Sequence, residues 1–245
     1  MQIRVGTCGW SFRDWKGTFY PPGTKDELAY YASQFDAVEI DSTWYRIPSA
    51  KSVDAWRERT PQRFLFCPKL PGEITHEKML EGADEQVTAF TEVISRLGDN
   101  LGPILVQLHP RFSYDQLPKL EAFLSRLPAG FRYAVEFRHR SWAEQPDAVE
   151  LLRSLNMGLA MAHHPWYARI REATADFAYL RMLGKRDVFP DFGRVHRPRN
   201  EALSEWAGFL TSLPASVTHS FVFVNNQFEG HSPATVARLR TLLRG

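Results

Sequence analysis

The sequence is poor in several features that would point to a class at once. It holds only two cysteines in 245 residues, Cys8 and Cys67. A disulfide framework is therefore excluded, and a cysteine-based zinc site is not expected. Both lie in strand-like segments and read as reduced, buried thiols. No run approaches the roughly 18 apolar residues of a membrane span. The opening MQIRVGTCGW also lacks the charged and apolar regions of a secretion signal. The expected location is the cytoplasm, with no membrane partner. Neither sign of charge dominates, since 30 Lys and Arg face 28 Asp and Glu for a net charge of +2. That balance gives no bulk argument for binding duplex nucleic acid. Repeats and low-complexity tracts are absent. So is a G-x-G-x-x-G after the first strand-like run, where Gly6-Thr7-Cys8-Gly9-Trp10 stands instead, which weakens the case for an open dinucleotide-binding sheet.

What is present is a globular composition, 44% hydrophobic and 24% charged, arranged in a repeating order. Eight β-rich runs occur, at Ile3–Cys8, Ala37–Asp41, Phe64–Lys69, Ile104–Leu108, Arg132–Phe137, Gly158–Ala162, Ala178–Gly184 and Ser220–Asn225. Their apolar content suits strands buried on both faces. Helix-period segments separate most of them, at about Lys25–Gln34, Ala50–Arg59, Asp84–Leu97, Tyr114–Arg126, Pro146–Asn156, Glu201–Leu213 and Pro233–Leu243. Ser232-Pro233 reads as an N-cap followed by proline at the first helical position, and Ser113 or Asp115 as the start of the fourth helix. Alternating strands and helices force parallel strands through right-handed crossovers. The predicted fold is an α/β eight-stranded parallel (β/α)8 TIM-type barrel, one domain over residues 1–245. Its sixth βα unit is irregular, because the helical pattern of His163–Asp176 is poor, and an irregular loop or a short helix is expected there.

Side chains alternate along a strand, so Val38 and Ile40 face helices while Glu39 and Asp41 point into the barrel. Glu136 and Arg138 follow the same logic on the fifth strand, as do Gln107 with His109 beyond the fourth, Lys69 on the third and Arg181 on the seventh. The sixth ends at His163 and His164, the eighth at Asn225 and Asn226. Polar groups converging on the C-terminal strand ends are how barrel active sites are built. A buried ion-pair network that only specifies the fold is the competing explanation. Trp10, Tyr45 and Trp142 line a pocket or roof the barrel, and His76 is a candidate acid/base group after the third strand.

Four segments carry a further likeness: Gly6-Thr7-Cys8-Gly9-Trp10, Val38-Glu39-Ile40-Asp41-Ser42-Thr43-Trp44-Tyr45-Arg46, Val135-Glu136-Phe137-Arg138-His139 with Ser141-Trp142, and Asn225-Asn226. With Phe19-Tyr20-Pro21, Lys69, Thr75-His76, Gln107-Leu108 with Pro110, and Leu180-Arg181 with Gly184 in the same order, the chain resembles the YecE-like domain-of-unknown-function family (DUF72) nearly end to end. The resemblance implies a β/α barrel and no established reaction. Asp41 and Trp44 stand where that family more usually carries Asn and Phe, and Met182-Leu183 replaces a stretch that often ends in His-Gly.

The leading functional expectation is an enzyme (a hydrolase, lyase or isomerase) acting on a small polar or anionic metabolite. In it Glu39 and Glu136 form the acid/base pair, Lys69, Arg138 and Arg181 bind charge, and His76 or His109 shuttles a proton. Trp10, Asp41, Tyr45, Gln107, Trp142, Asn225 and Asn226 complete the substrate-binding set. A variant places a divalent Mg, Mn or Zn on Glu39, Glu136, Asp41 and His163 or His109. A second class is non-enzymatic: ligand or single-stranded nucleic-acid binding through rim aromatics and the basic run Arg169, Arg171, Lys185, Arg186, Arg194, Arg197 and Arg199.

Overall fold

In the computed structural model, which describes residues 1–244, the apolar runs pair as eight parallel strands. They are β1 (Gln2–Cys8), β2 (Ala37–Ile40), β3 (Leu65–Pro68), β4 (Ile104–Gln107), β5 (Tyr133–Glu136), β6 (Gly158–His163), β7 (Phe177–Met182) and β8 (His219–Val224). Their order is β3-β2-β1-β8-β7-β6-β5-β4. The two ends meet where Gly102 N–H donates to Phe66 O (2.8 Å) and Leu70 N–H to Leu105 O (2.9 Å), so the sheet closes into the expected barrel. Every predicted strand is present; the polar residues Asp41, Lys69 and Arg138 lie just beyond the ladders, on the mouth.

Helices wrap the outside: α1 (Glu27–Gln34), the single turn α2 (Ser42–Tyr45), α3 (Ala50–Glu58), α4 (Asp84–Ile94), α5 (Leu117–Leu124), α6 (Pro146–Ser154), α7 (Asn200–Thr211) and α8 (Ser232–Leu242). Asp26 caps α1 by accepting from Ala29 N–H at 3.0 Å, and Ser49 caps α3 by accepting from Ser52 N–H at 3.1 Å. The start of α8 differs from expectation by one residue. His231 Nδ1 accepts from Ala234 N–H (3.3 Å), because the Ser232 hydroxyl is committed to Asn226 Oδ1 (2.8 Å). Ser113 precedes a 3₁₀ turn at Tyr114–Gln116 that leads into α5, but its hydroxyl turns to Asp115 and caps nothing.

Between β6 and β7 no helix forms, so of the two expectations the irregular loop is the one realised. The extended return is pinned by Thr174, whose hydroxyl accepts from Leu159 N–H (2.7 Å) and donates to Met157 O (2.6 Å).

Burial divides into two layers. Val38, Ile40, Val106, Val135, Leu180 and Val222 pack outward under the helices. The lumen holds Cys8, Ala37, Cys67, Leu105, Ala134, Ala160 and Ala162 against the large rings Phe177, Tyr179, Phe221 and Phe223. Small side chains from β1 to β6 thus leave room that four rings from β7 and β8 fill, as close packing requires.

The β7 and β8 exits approach so closely that a Cβ on Gly184 would lie 1.7 Å from the carbonyl oxygen of Gln227. Replacing Gly184 with Ala is expected to cost about 3 kcal/mol by displacing backbone. Urea unfolding of the variant measures it, and an unchanged midpoint would show that the loops part without strain.

Candidate functional site

The site rests on the alternation of β7. Phe177, Tyr179 and Arg181 turn into the lumen, while Ala178, Leu180 and Met182 face the helices. Arg181, 3% exposed, donates from Nη2 and Nε to the two oxygens of Glu39 at 2.8 and 2.9 Å, and from Nη1 to Glu136. Both glutamates are 0% exposed. The Tyr179 hydroxyl adds a bond to Glu39 Oε2 (2.8 Å), and Gln107 Nε2 one to Glu136 Oε1 (2.7 Å). Fork geometry and ionised acceptors make these charge-assisted bonds strong. Burial works against the charge on Arg181, yet the two carboxylates hold its proton more firmly than usual. Burial likewise pushes Glu136 up, but Arg181, Arg138 and Lys69 outweigh it and hold its carboxyl below the ordinary range.

One guanidinium between two carboxylates leaves a negative floor, and cations stand above it. Lys69, 7% exposed, is fixed where its N–H donates to Thr43 Oγ1 (2.9 Å), and its ammonium meets Asp41 Oδ1 at 2.9 Å. Burial alone would raise Asp41; Lys69 and Arg181 overcome it and lower its pKa. Arg138 donates from Nη2 to the Tyr167 hydroxyl (2.8 Å), lies 4.9 Å over that ring, and approaches His76 Nε2 at 3.5 Å. Its Nε is buried without a partner.

His76 stands on a single wide π turn, Glu73–Glu77, closed by Lys78 N–H to Glu73 O at 2.9 Å. The chain leaves it through Met79 and Leu80 at φ 48° and 72°, a conformation that costs energy for side chains of this size and clusters at functional sites. Thr75 Oγ1 lies 2.8 Å from His76 Nδ1, and Trp44 and His109 meet the ring at 5.1 and 5.0 Å. Trp44 fits there because Gly72 has no Cβ, which would fall 2.7 Å from the indole. Burial, then Arg138, His109 and Lys69, lower His76 to about 4. Burial also takes His164 to about 4.

The structure thus brings Glu39, Asp41, Lys69, His76, Gln107, His109, Arg138 and Arg181 to one mouth. Asn225 joins them: it lies two residues beyond the lumen ring Phe223, and its Oδ1 is buried without a partner. Other predicted residues go elsewhere. Trp10 packs toward α3, 5.8 Å from Trp56 and 6.4 Å from Phe66. Trp142 is buried against Phe137 (4.5 Å) with its indole N–H on Phe112 O (2.7 Å). Asn226 turns from the lumen, its Oδ1 accepting from Trp15 and Ser232. Tyr45 is on the rim but 77% exposed. Of the basic run, Arg171 pairs with Glu205 at 2.6 Å and Arg199 lies 4.9 Å over Phe228, so those two serve packing. Tyr179 was legible from its parity with Arg181; Tyr167, in the helix-free return, carried no pattern that pointed to it.

With this geometry in view, the comparisons with known proteins agree among themselves. Residues 4–245 match the family described as "Protein of unknown function DUF72". The chain belongs to the DUF72 family. The UPF0759 protein YecE of Escherichia coli K12 is 34% identical over 157 residues, covering 64% of this chain and 55% of YecE, so the match spans little more than half of that relative. The UPF0759 protein YunF of Bacillus subtilis 168 is 24% identical, covering 98% of this chain and 94% of YunF. Among solved structures, a DUF72 family protein from Thermotoga maritima superposes with a TM-score of 0.83 at 28% identity, over 100% of both chains. DUF72 membership fixes the β/α barrel and names no reaction. No helix among the described residues is long and apolar enough to cross a membrane.

For a metal, this DUF72 mouth offers a different donor set from the one the sequence suggests. His163 faces outward and accepts from Trp206 Nε1–H at 3.0 Å, and His109 lies against His76. Among the described residues, the groups within 4.8 Å of one another are Cys8, Glu39 and Asp41. Both Glu39 oxygens already hold Arg181, and Asp41 holds Lys69. A divalent ion there would have to displace two cations. Burial, with the charges of Glu39 and Asp41, also pushes the Cys8 thiol up, which keeps it protonated.

Two pH responses follow from the site. His76, His163 and His164 titrate at about 4 when folded, against 6.5 when free. Between those values the unfolded chain takes up protons that the folded chain refuses, so wild-type stability is full above 6.5 and falls as pH drops toward 4. Arg181→Met adds a response of opposite sign to that of the histidines it keeps. It leaves two buried carboxylates without their cation, costs about 3–5 kcal/mol at pH 7, and its deficit against the wild type narrows on acidification as they protonate. Urea midpoints from pH 8 to 4 read both, and a variant that tracks the wild type would show that the triad carries no buried charge.

Proposed function

We propose that the mouth binds a small anionic metabolite between Lys69 and Arg138 and that the chain is an enzyme acting on it, with His76 as the proton-transferring group. The observation that carries this reading is unfilled donor capacity on buried Lys69 and half-buried Arg138. Lys69 has three ammonium donors and uses one, and Arg138 has a buried Nε with no acceptor. Buried donors left unpaired cost free energy, and an oxyanion supplies the missing acceptors. His76 suits the proton role better than the glutamates do. Glu39 and Glu136 are locked into charge-assisted bonds with Arg181, so accepting a proton would break them. His76 is neutral at pH 7 and presents Nε2 beside Arg138. An anion that neutralises Arg138 and Lys69 raises the basicity of His76, so the base strengthens once substrate is bound. The floor then acts as a fixed counter-charge that holds the rim cations in place.

Calorimetric titration with inorganic phosphate tests the binding half. Lys69→Met and Arg138→Met are each expected to weaken binding by at least about tenfold. Asp41→Asn, which removes the carboxylate competing for Lys69, is expected to tighten it by up to about fivefold. In the same samples the His76 imidazole signals should titrate above their starting value of about 4 when phosphate is present. Equal affinity in all four proteins would place the anion elsewhere and end the reading.

A further inference from the structure

Five large hydrophobic side chains are exposed among the described residues: Met1 and Leu242 near the ends of the chain, and Tyr45, Trp166 and Val188 on the loops after β2, β6 and β7. The large hydrophobic side chains exposed away from the ends therefore all lie on segments that leave the mouth end of the strands. Trp166 is the best placed. It is 54% exposed, its backbone N–H is held by His164 Nδ1 at 3.3 Å, and Lys185 Nζ lies 5.0 Å over its ring. A run of ring contacts connects it to the anion site. Trp166 meets His164 at 5.4 Å, His164 meets Tyr167 at 4.0 Å, and the Tyr167 hydroxyl accepts from Arg138.

We infer that Trp166 is a stacking subsite for a planar ring carried by the anionic ligand, so that the substrate class is a ring-bearing phosphate such as a nucleoside monophosphate. This rests on the anion-binding reading of Lys69 and Arg138. The ring of the ligand stacks on the exposed indole, the linking sugar passes over Tyr167, and the phosphate reaches Arg138. Lys185 over the indole adds a positive charge that suits the same ligand. Lys185 lies over one face of the indole, so the ring of the ligand stacks on the other.

Binding of adenosine 5′-monophosphate, ribose 5-phosphate and inorganic phosphate would be compared by calorimetry in the wild type, Trp166→Ala and Trp166→Phe. Stacking on one aromatic predicts that the nucleotide binds about tenfold tighter than ribose 5-phosphate. That advantage should vanish in Trp166→Ala and persist in Trp166→Phe, with phosphate affinity unchanged in both. Equal binding of all three ligands, or an advantage that survives Trp166→Ala, overturns the stacking subsite and leaves the anion site standing. Failure of all three to bind the wild type overturns the anion reading and the subsite with it.

Discussion

A single buried guanidinium governs the interior of this barrel. Arg181 on β7 reaches Glu39 on β2 and Glu136 on β5, so it ties together strands that are not neighbours in the sheet. Two buried carboxylates sharing one cation leave an excess negative charge in a region of low dielectric, where it is felt strongly. The cations at the mouth answer that charge. Burial first, and then Arg138, His109 and Lys69, keep His76 neutral, while Asp41 and Tyr167 occupy part of what the two cations offer. Floor, rim and imidazole therefore form one electrostatic column.

The hydrocarbon beneath the column explains why it stands so high in the barrel. Phe177, Tyr179, Phe221 and Phe223 crowd the lumen from β7 and β8 against alanines and cysteines on the other strands. That plug excludes water from below, so the polar layer is wetted only from the mouth. Polar layer and apolar plug are thereby separated along the barrel axis, a common arrangement in this architecture. DUF72 membership agrees with the architecture and leaves the chemistry to the residues.

Much of this was legible in the sequence because a strand has period two. Glu39, Glu136, Lys69, Gln107, Arg138 and Arg181 were all turned inward by parity alone, and the irregular unit between β6 and β7 showed as a poor helical pattern. The same rule, carried one residue past each ladder, separates Asn225 from Asn226 and His164 from His163. Adjacent residues of one type hide that division until the last strand residue is known. Trp10 and Trp142 misled for another reason: an indole near a mouth packs equally well outward, and sequence does not record which side holds the vacancy. Partnership was also out of reach. That both glutamates share Arg181, leaving neither free, depends on strands far apart in the chain.

The helix-free return between β6 and β7 has a consequence for motion. Elsewhere around the barrel a helix packed on two strands must be unseated before a loop at the mouth can shift far. Here the chain from His164 to Thr174 carries Trp166 and Tyr167 without a helix behind it, and is anchored by the bonds at Thr174, by Tyr167 on Arg138, by buried Ala168 and by Arg171 on Glu205. Its local opening is thus separable from global unfolding. The wall that touches Arg138 is therefore built on side-chain contacts and not on a packed helix, and its opening would uncover the mouth without parting the strands.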